Sequence, residues 1–344
     1  MSKPLIAVTM GDAAGVGPEV IAGCWPSAEV HELCRPFVVG HPEIMRRAVE
    51  LWKLPIEVRT IASPEEAKPT RTSIPVLQAC GDDVVAAPRC VVDARHGQAA
   101  YDCLVAAARL ALDGRIAALT TAPLHKAALH AAGHHYPGHT ELLAELCNVD
   151  DFAMMLYLGP QPSLHGASGL GVIHVTLHMA LRDVFANLNP AAIGDKIHLA
   201  HDVMLQIKGS TPRIGVAALN PHAGESELFG DEEGRLIAPA VAKAKDEGID
   251  VAGPFPTDTL MVRARDGEFD AVVAMYHDQG HIALKLLGMH RAVNVTLGLP
   301  IVRTSVAHGT AFDLAWQCRA ETSSMVEALR VAALLIDKRS MART

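Results

Sequence analysis

Residues 274–285 read AMYHDQGHIALK, and this stretch brings several kinds of chemistry together. His277 offers a neutral imidazole to a metal, Asp278 a negative charge, and Gln279-Gly280 a tight turn into a helix that carries Lys285. The run ahead of it, AVVAM (271–275), is short, continuous and β-branched, as suits a strand buried on both faces of a parallel sheet. Polar groups at the carboxyl end of such a strand face the crevice in which open α/β sheets bind ligands. Two further histidines occupy the same kind of position: His178 closes LGVIHVTLH (170–178), and His222 lies just past the strand in RIGVAALNPHAGES (213–226). Imidazoles converging from three strand ends suit Zn2+ or another late divalent ion and leave a coordination position open for a substrate. The chain has 18 histidines, more than one site can use, so histidines that merely follow strands are the competing explanation.

Two other places could hold an anion. His139 and Thr140, after the turn at Pro137-Gly138, open a helix whose free N–H groups can bind a negative charge, unless one of the two side chains only caps it. GDAAGVGPEV (11–20) follows the strand PLIAVTM (4–10), and its glycines either cradle a phosphate or let the backbone turn tightly. Asp12 and Glu19 weigh against a bare phosphate loop, since carboxylates repel anions.

Positioning these groups calls for a large α/β scaffold, and the composition provides one. Half of the 344 residues are hydrophobic but only 4% are aromatic, so the core is built from Ala, Val, Leu and Ile, as in a protein with many buried parallel strands. The length favours two domains over one. A formal charge of -8 without any Lys/Arg run excludes nucleic acid and anionic membrane as natural partners and leaves a small molecule. Seven scattered cysteines with no CxxC pair fit free thiols in a reducing compartment. The first residues run straight into a strand with no signal-peptide pattern, and no apolar run approaches the ~20 residues of a membrane span, so a cytoplasmic protein is expected.

Strands are expected at 36–40, 56–61, 116–123, 292–300 and 301–306, and helices at 42–53, 97–113, 190–208 and 323–338, with a surface loop over 63–75. Residues 152–159 and 170–178 form a strand pair, in which alternation would put His174, Thr176 and His178 on one face, His174 as a plain core histidine. The charge run in DEEGRLIAPAVAKAKDEG (231–248) is expected on the solvated face of an amphipathic helix.

Six blocks, taken in order, resemble one family. They are TMGDAAGVGPE (9–19), TAPLHKAALHAAG with YPGHTELLAE (121–145), HVTLHMALRD (174–183), NPHAGE (220–225), YHDQG with Lys285, and VNVTLGLPIVRTS with HGTAFD (293–313). Together they are similar to the 4-hydroxythreonine-4-phosphate dehydrogenases, including the branches acting on 4-phosphates of threonate or erythronate. The resemblance implies two α/β/α domains, each with a mostly parallel sheet and with a cleft between them, as in isocitrate and isopropylmalate dehydrogenases. It places a cofactor-side domain at about 1–135 plus 300–344, and a domain for metal, substrate and dimerisation at about 136–299. It also implies a homodimer whose active site uses both subunits.

In residues, the resemblance implies that His178, His222 and His277 bind a divalent metal, zinc with magnesium or cobalt as alternatives, one of them across the dimer interface. His139, Thr140, Lys285, Asn294 and Arg303 would hold the phosphorylated hydroxy acid. The types agree, since Arg303 can grip a carboxylate or phosphate bidentately and Lys285 is a compact point charge. Gly11, Asp12, Gly17, His308, Gly309 and Thr310 would face NAD or NADP. Asp278, Asp258 and Lys285 are, in that order, the candidates for proton transfer. The implied reaction is oxidation and decarboxylation of 4-phosphohydroxy-L-threonine to 3-amino-2-oxopropyl phosphate, a step of pyridoxal phosphate biosynthesis. D-threonate or D-erythronate 4-phosphate, or an aromatic dihydrodiol carboxylate, are alternative substrates, and a metal-dependent sensor without turnover is the non-enzymatic alternative. Four places depart from the family pattern: Ala13 replaces a usual proline, His125 an asparagine, Ala307 an aspartate, and WQCRAE (316–321) a small, Gly-rich segment.

Overall fold

The computed structural model describes residues 3–341. It divides into two compact units, one made of the chain up to Asp150 with residues 299–340, the other of residues 151–298.

The first unit contains β1 (Leu5–Thr9), α1 (Gly17–Cys24), α2 (Ala28–Leu33), β2 (Arg35–Gly40), α3 (Pro42–Leu51), β3 (Glu57–Ile61), β4 (Ser73–Gln78), α4 (Ala94–Leu112), β5 (Ala118–Thr121), α5 (Lys126–Ala131) and α6 (His139–Leu146). It is completed near the end of the chain by β12 (Arg303–Val306) and α12 (Ser323–Met341). Its strands lie in the order β3-β4-β2-β1-β5-β12, parallel throughout. The middle strands are buried along nearly their whole length, which is why they read as unbroken apolar runs. Local chemistry starts the flanking helices: His41 accepts from the Glu43 N–H at the head of α3, and Asp93 from the Arg95 N–H at the head of α4. Because α6 packs on α4, the first boundary falls at Asp150, and residues 136–150, grouped with the second domain in the sequence division, belong here.

One buried carboxylate ties this unit together. Glu19, on α1 and 0% exposed, accepts the backbone N–H of Trp316 at 2.6 Å and of Cys318 at 2.5 Å. Trp316 and Cys318 are held at φ 62° and 56°, left-handed conformations for which their side chains give no reason. The Trp316 indole N–H donates to Ala13 O, and the Arg89 guanidinium lies 4.1 Å above its ring. The atypical WQC segment is thus folded onto the turn before α1.

The second unit contains β6 (Ala153–Leu158), β7 (Leu170–His174), α7 (Leu181–Asn187), α8 (Pro190–Lys208), β8 (Ile214–Ala217), α9 (Ala238–Asp246), β9 (Val251–Phe255), α10 (Thr257–Arg265), β10 (Ala271–Ala274), α11 (His277–Gly288) and β11 (Ala292–Leu297). Its strand order is β11-β6-β7-β10-β8-β9, antiparallel on both sides of β6 and parallel from β7 onward. Residues 152–159 and 170–178 do pair, but β7 stops at His174. Beyond it, the Thr176 N–H and hydroxyl both donate to Met275 O, so strand alternation does not carry through to Thr176 and His178.

The charge run of residues 231–248 is exposed as expected at Asp231, Arg235, Lys243, Lys245, Asp246 and Glu247, and one buried carboxylate is the exception. Glu233, in a π turn ahead of α9, is 6% exposed and accepts the N–H groups of Leu219 and Asn220 at 2.8 and 2.7 Å. It anchors the turn in which His222, Ala223 and Glu225 all have positive φ. No helix among the described residues is long and apolar enough to cross a membrane.

Each carboxylate is predicted to be worth about 3 kcal/mol, because its loss leaves two backbone donors without an acceptor in a dry environment. E19A should lower the urea midpoint accordingly and E19Q less. E233A should speed amide exchange at Leu219 and Asn220, and unchanged exchange there would refute the anchor.

Candidate active site

In the second unit, β7 and β10 end side by side, with Ala274 opposite His174. The segments leaving those ends carry His178 and His277, whose ring centroids lie 5.9 Å apart at 45°. They border a pocket of about 480 Å3, together with Tyr276, Asp278 and the apolar side chains of Leu177, Met179, Leu181 and Val184. His277 Nδ1 donates to Asp278 Oδ1 at 2.7 Å, which leaves Nε2 with its lone pair for a cation. His222 sits on a separate turn, exposed, with its ring 6.2 Å from that of Phe229. Among the described residues, no group of three His, Cys, Asp or Glu side chains is arranged to hold a metal ion. His178 and His277 therefore fit a shared cation as a pair, and His222 is not brought to them within one chain.

The convergence of these strand ends depends on Gln279. Its Oε1 accepts the Met275 N–H at the end of β10, and its Nε2 donates both to Ala218 O beyond β8 and to Thr257 Oγ1 at the head of α10. One amide thus ties the His277 turn to the strand that leads to His222 and to the helix that carries Asp258. Sequence inspection assigned Gln279 only a turn. The cue was present, since a glutamine at a buried strand end must find partners for its amide.

The proton-transfer candidates separate. Asp278 is committed to His277 through Oδ1, although its side chain is 68% exposed. Asp258 is exposed and accepts the Thr259 N–H in the first turn of α10. Lys285 lies on α11 near His281. Burial, reinforced by His277 and Lys285, pushes the His281 imidazole down to about 3. Asn294, on β11, directs its Nδ2 at Met154 Sδ.

In the first unit, Arg303 opens β12 and is 1% exposed, which excludes a surface ion pair. Its guanidinium donates to Thr121 Oγ1 at 2.7 Å. Burial pulls its pKa down to about 9, partly offset by Glu141, so the group stays charged at neutral pH at a desolvation cost that a bound anion would relieve. The His139 imidazole is held well below its ordinary range by burial and by the Arg303 charge, so it faces the guanidinium as a neutral group. The residue capping α6 is Gly138, and no side chain caps the helix, so neither His139 nor Thr140 serves as its cap.

The turn before α1 is tight because the chain's own atoms fill it. A Cβ on Gly11, which has φ +70°, would stand 2.3 Å from Pro123 O, one on Gly17 2.4 Å from Met10 O, and one on Gly15 2.8 Å from Thr310. Val16 N–H donates to Thr310 O, which joins this turn to the HGT segment. Asp12 is fully buried and accepts the Ala14 N–H. Desolvation raises its pKa, against the lowering influence of that bond and of nearby His96 and His125. His308 bonds Ser324 Oγ through Nε2, while the space beside Gly309 is open.

The family described as "Pyridoxal phosphate biosynthetic protein PdxA" matches residues 32–332. The chain belongs to the PdxA family. The D-threonate 4-phosphate dehydrogenase of Pectobacterium atrosepticum is 47% identical over 334 residues, which cover 96% of this chain and 99% of that one. Among solved structures, the 4-hydroxythreonine-4-phosphate dehydrogenase of Klebsiella pneumoniae is similar with a TM-score of 0.85 at 44% identity, over 97% of this chain and 99% of that one. At 15% identity and a TM-score of 0.50, the isocitrate dehydrogenase of Methylococcus capsulatus, aligned over 100% of this chain and 88% of its own, shows the expected fold alone. Of the four departures from the family pattern, His125 lies near Asp12 and the WQC segment is bonded to Glu19.

Two outcomes follow for Arg303 and His139. R303M should be at least as stable as the wild type without ligand, since a desolvated charge is replaced by an apolar side chain of similar length. It should lose the rise in melting temperature that a phosphorylated acid confers on the wild type; a retained rise would remove Arg303 from anion binding. His139 binds its proton less readily folded than unfolded, so its contribution is intact above its ordinary value near 6.5 and is lost as pH falls below it. The urea midpoint of the wild type should therefore drop between pH 7 and 5 by more than that of H139N.

Proposed function

We propose that this PdxA-family chain oxidises the secondary hydroxyl of a four-carbon, 4-phosphorylated hydroxy acid with NAD+ or NADP+, and then releases CO2 from the resulting β-keto acid. The observation that carries this reading is the His178–His277 pair at the ends of β7 and β10, with Asp278 fixing the outer nitrogen of His277. A divalent cation bound there, zinc with magnesium or cobalt as alternatives, would supply Lewis acidity to the substrate hydroxyl, and the nicotinamide would take the hydride.

The chain's own residues do the rest. Arg303, with neutral His139 beside it, is assigned to an anionic group of the substrate, and Thr140, Lys285 and Asn294 are assigned to substrate binding as well. Asp278 orients His277, which leaves Asp258 and Lys285 as candidates to take the hydroxyl proton. After oxidation the C–C electrons of the departing carboxylate pass to the adjacent carbonyl, and the enol that forms is reprotonated at carbon. Gly11, Asp12, Gly17, His308, Gly309 and Thr310 are assigned to the cofactor.

The preferred substrate is 4-phosphohydroxy-L-threonine. D-threonate 4-phosphate is a second reading, favoured by the name of the 47% identical relative. The protein is proposed to act in the cytoplasm, in keeping with seven unpaired cysteines, and as a homodimer in which a second copy supplies one imidazole. Support for the dimer comes from exposed apolar side chains of the second unit: Leu181, in the wall of the His178–His277 pocket, is 63% exposed, Leu228 71% and Leu286, on α11, 83%.

A panel of phosphorylated four-carbon acids, with either cofactor and with or without chelator, tests the reaction through formation of reduced nicotinamide. Chelator-sensitive reduction with one member is expected, and none with any member would leave the aromatic dihydrodiol carboxylate and the sensor readings. H178A and H222A should each be inactive. Mixed and reassociated, they should recover about a quarter of the activity if the copies share sites, since half the dimers then hold one intact site. No recovery would place all three imidazoles in one chain.

A further inference from the structure

His277 is not alone on its helix. One turn later His281 stacks against it, with ring centroids 3.8 Å apart and planes within 13°. His281 Nδ1 in turn meets His174 Nε2 at 3.1 Å, one nitrogen donating its N–H and the other accepting. His281 is 7% and His174 1% exposed, so this bond is made out of reach of solvent. The contact depends on a notch in α11. A Cβ on Gly280 would stand 2.7 Å from His174 Nε2 and 2.4 Å from Val172 Cγ1, so His174 reaches His281 only because residue 280 has no side chain.

Two buried imidazoles joined to each other are a poor way to fill a core, because each must be desolvated and a leucine would pack as well. Their arrangement has a purpose if the ring they lean on must keep one orientation. We infer that His281, held by His174, is a positioning residue for His277. The stack sets the plane of the His277 ring, and Asp278 holds its Nδ1 at 2.7 Å, so Nε2 presents its lone pair in one direction. Partners of this kind around a ligating imidazole typically change metal affinity by about 10–100-fold. The inference rests on the reading of His277 as a cation ligand and adds to it two residues from β7 and α11 that touch neither substrate nor cation.

The test measures Zn2+ affinity of the full-length protein by competition with a chromophoric chelator, and the visible spectrum of its Co2+ form. H281L and H174V should each weaken Zn2+ binding by about 10–100-fold and alter the Co2+ spectrum. The double variant should be no weaker than H281L, since both residues act through one ring. H281F, which restores a flat partner, should recover part of the loss, and with H281N it gives the same reading if H281L does not fold. Wild-type affinity in folded H281L, beside loss of binding in H277A, overturns the positioning role. Loss in H281L as complete as in H277A makes His281 a ligand and overturns it as well. Unchanged affinity in H277A removes the cation site itself, a separate failure that takes the inference with it.

Discussion

The second unit turns on the side-chain amide of Gln279. Here the amide oxygen accepts from the end of β10, and the two N–H donors go to the carbonyl beyond β8 and the head of α10. Strand ends in a parallel sheet have no ladder bonds left to hold them, and the loops that follow would otherwise be free to splay. With Gln279 in place, the backbone that carries His277 is registered against its neighbours before any ligand is present. A binding constellation must be held to a fraction of an ångström, which an unanchored loop cannot do.

Glu19 and Glu233 play equivalent parts at the two strained turns. In each case a buried carboxylate takes two backbone N–H groups in a turn where several residues other than glycine have positive φ. Left-handed conformations at side-chain-bearing residues persist only where the surroundings over-determine them, and they concentrate at functional sites. The WQC segment and the His222 turn are therefore stiff. Where a Gly-rich loop would bend to accommodate a ligand, these turns are already set.

How much of this was legible in the sequence depended on whether a residue belonged to a repeating local pattern. The buried strands were, because unbroken apolar runs follow from burial on both faces, and His277 could be placed just past a strand end for the same reason, whereas His178 lies beyond the end of β7 at His174. The end of β7 was not, since Thr176 leaves the ladder for a bond to Met275 that no periodicity foretells. Glu233 sat inside an acidic run that resembles any solvated helix face, and its burial is decided by Leu219 and Asn220, distant in sequence. His174 was recognised as a core residue, but its partner could not be, because one imidazole among many carries no mark of the ring it will meet.

The chain leaves the first unit at Asp150 and comes back only at Leu299, so the second unit is an insertion within the first. During synthesis the whole of residues 151–298 emerges while the first sheet still lacks β12, and domains generally fold as they emerge. Arg303, the HGT turn and the tryptophan clamped by Glu19 are therefore among the last pieces to reach their places. A chain cut short just before β12 would carry the whole second unit, with its histidine pair, attached to a first sheet that lacks Arg303.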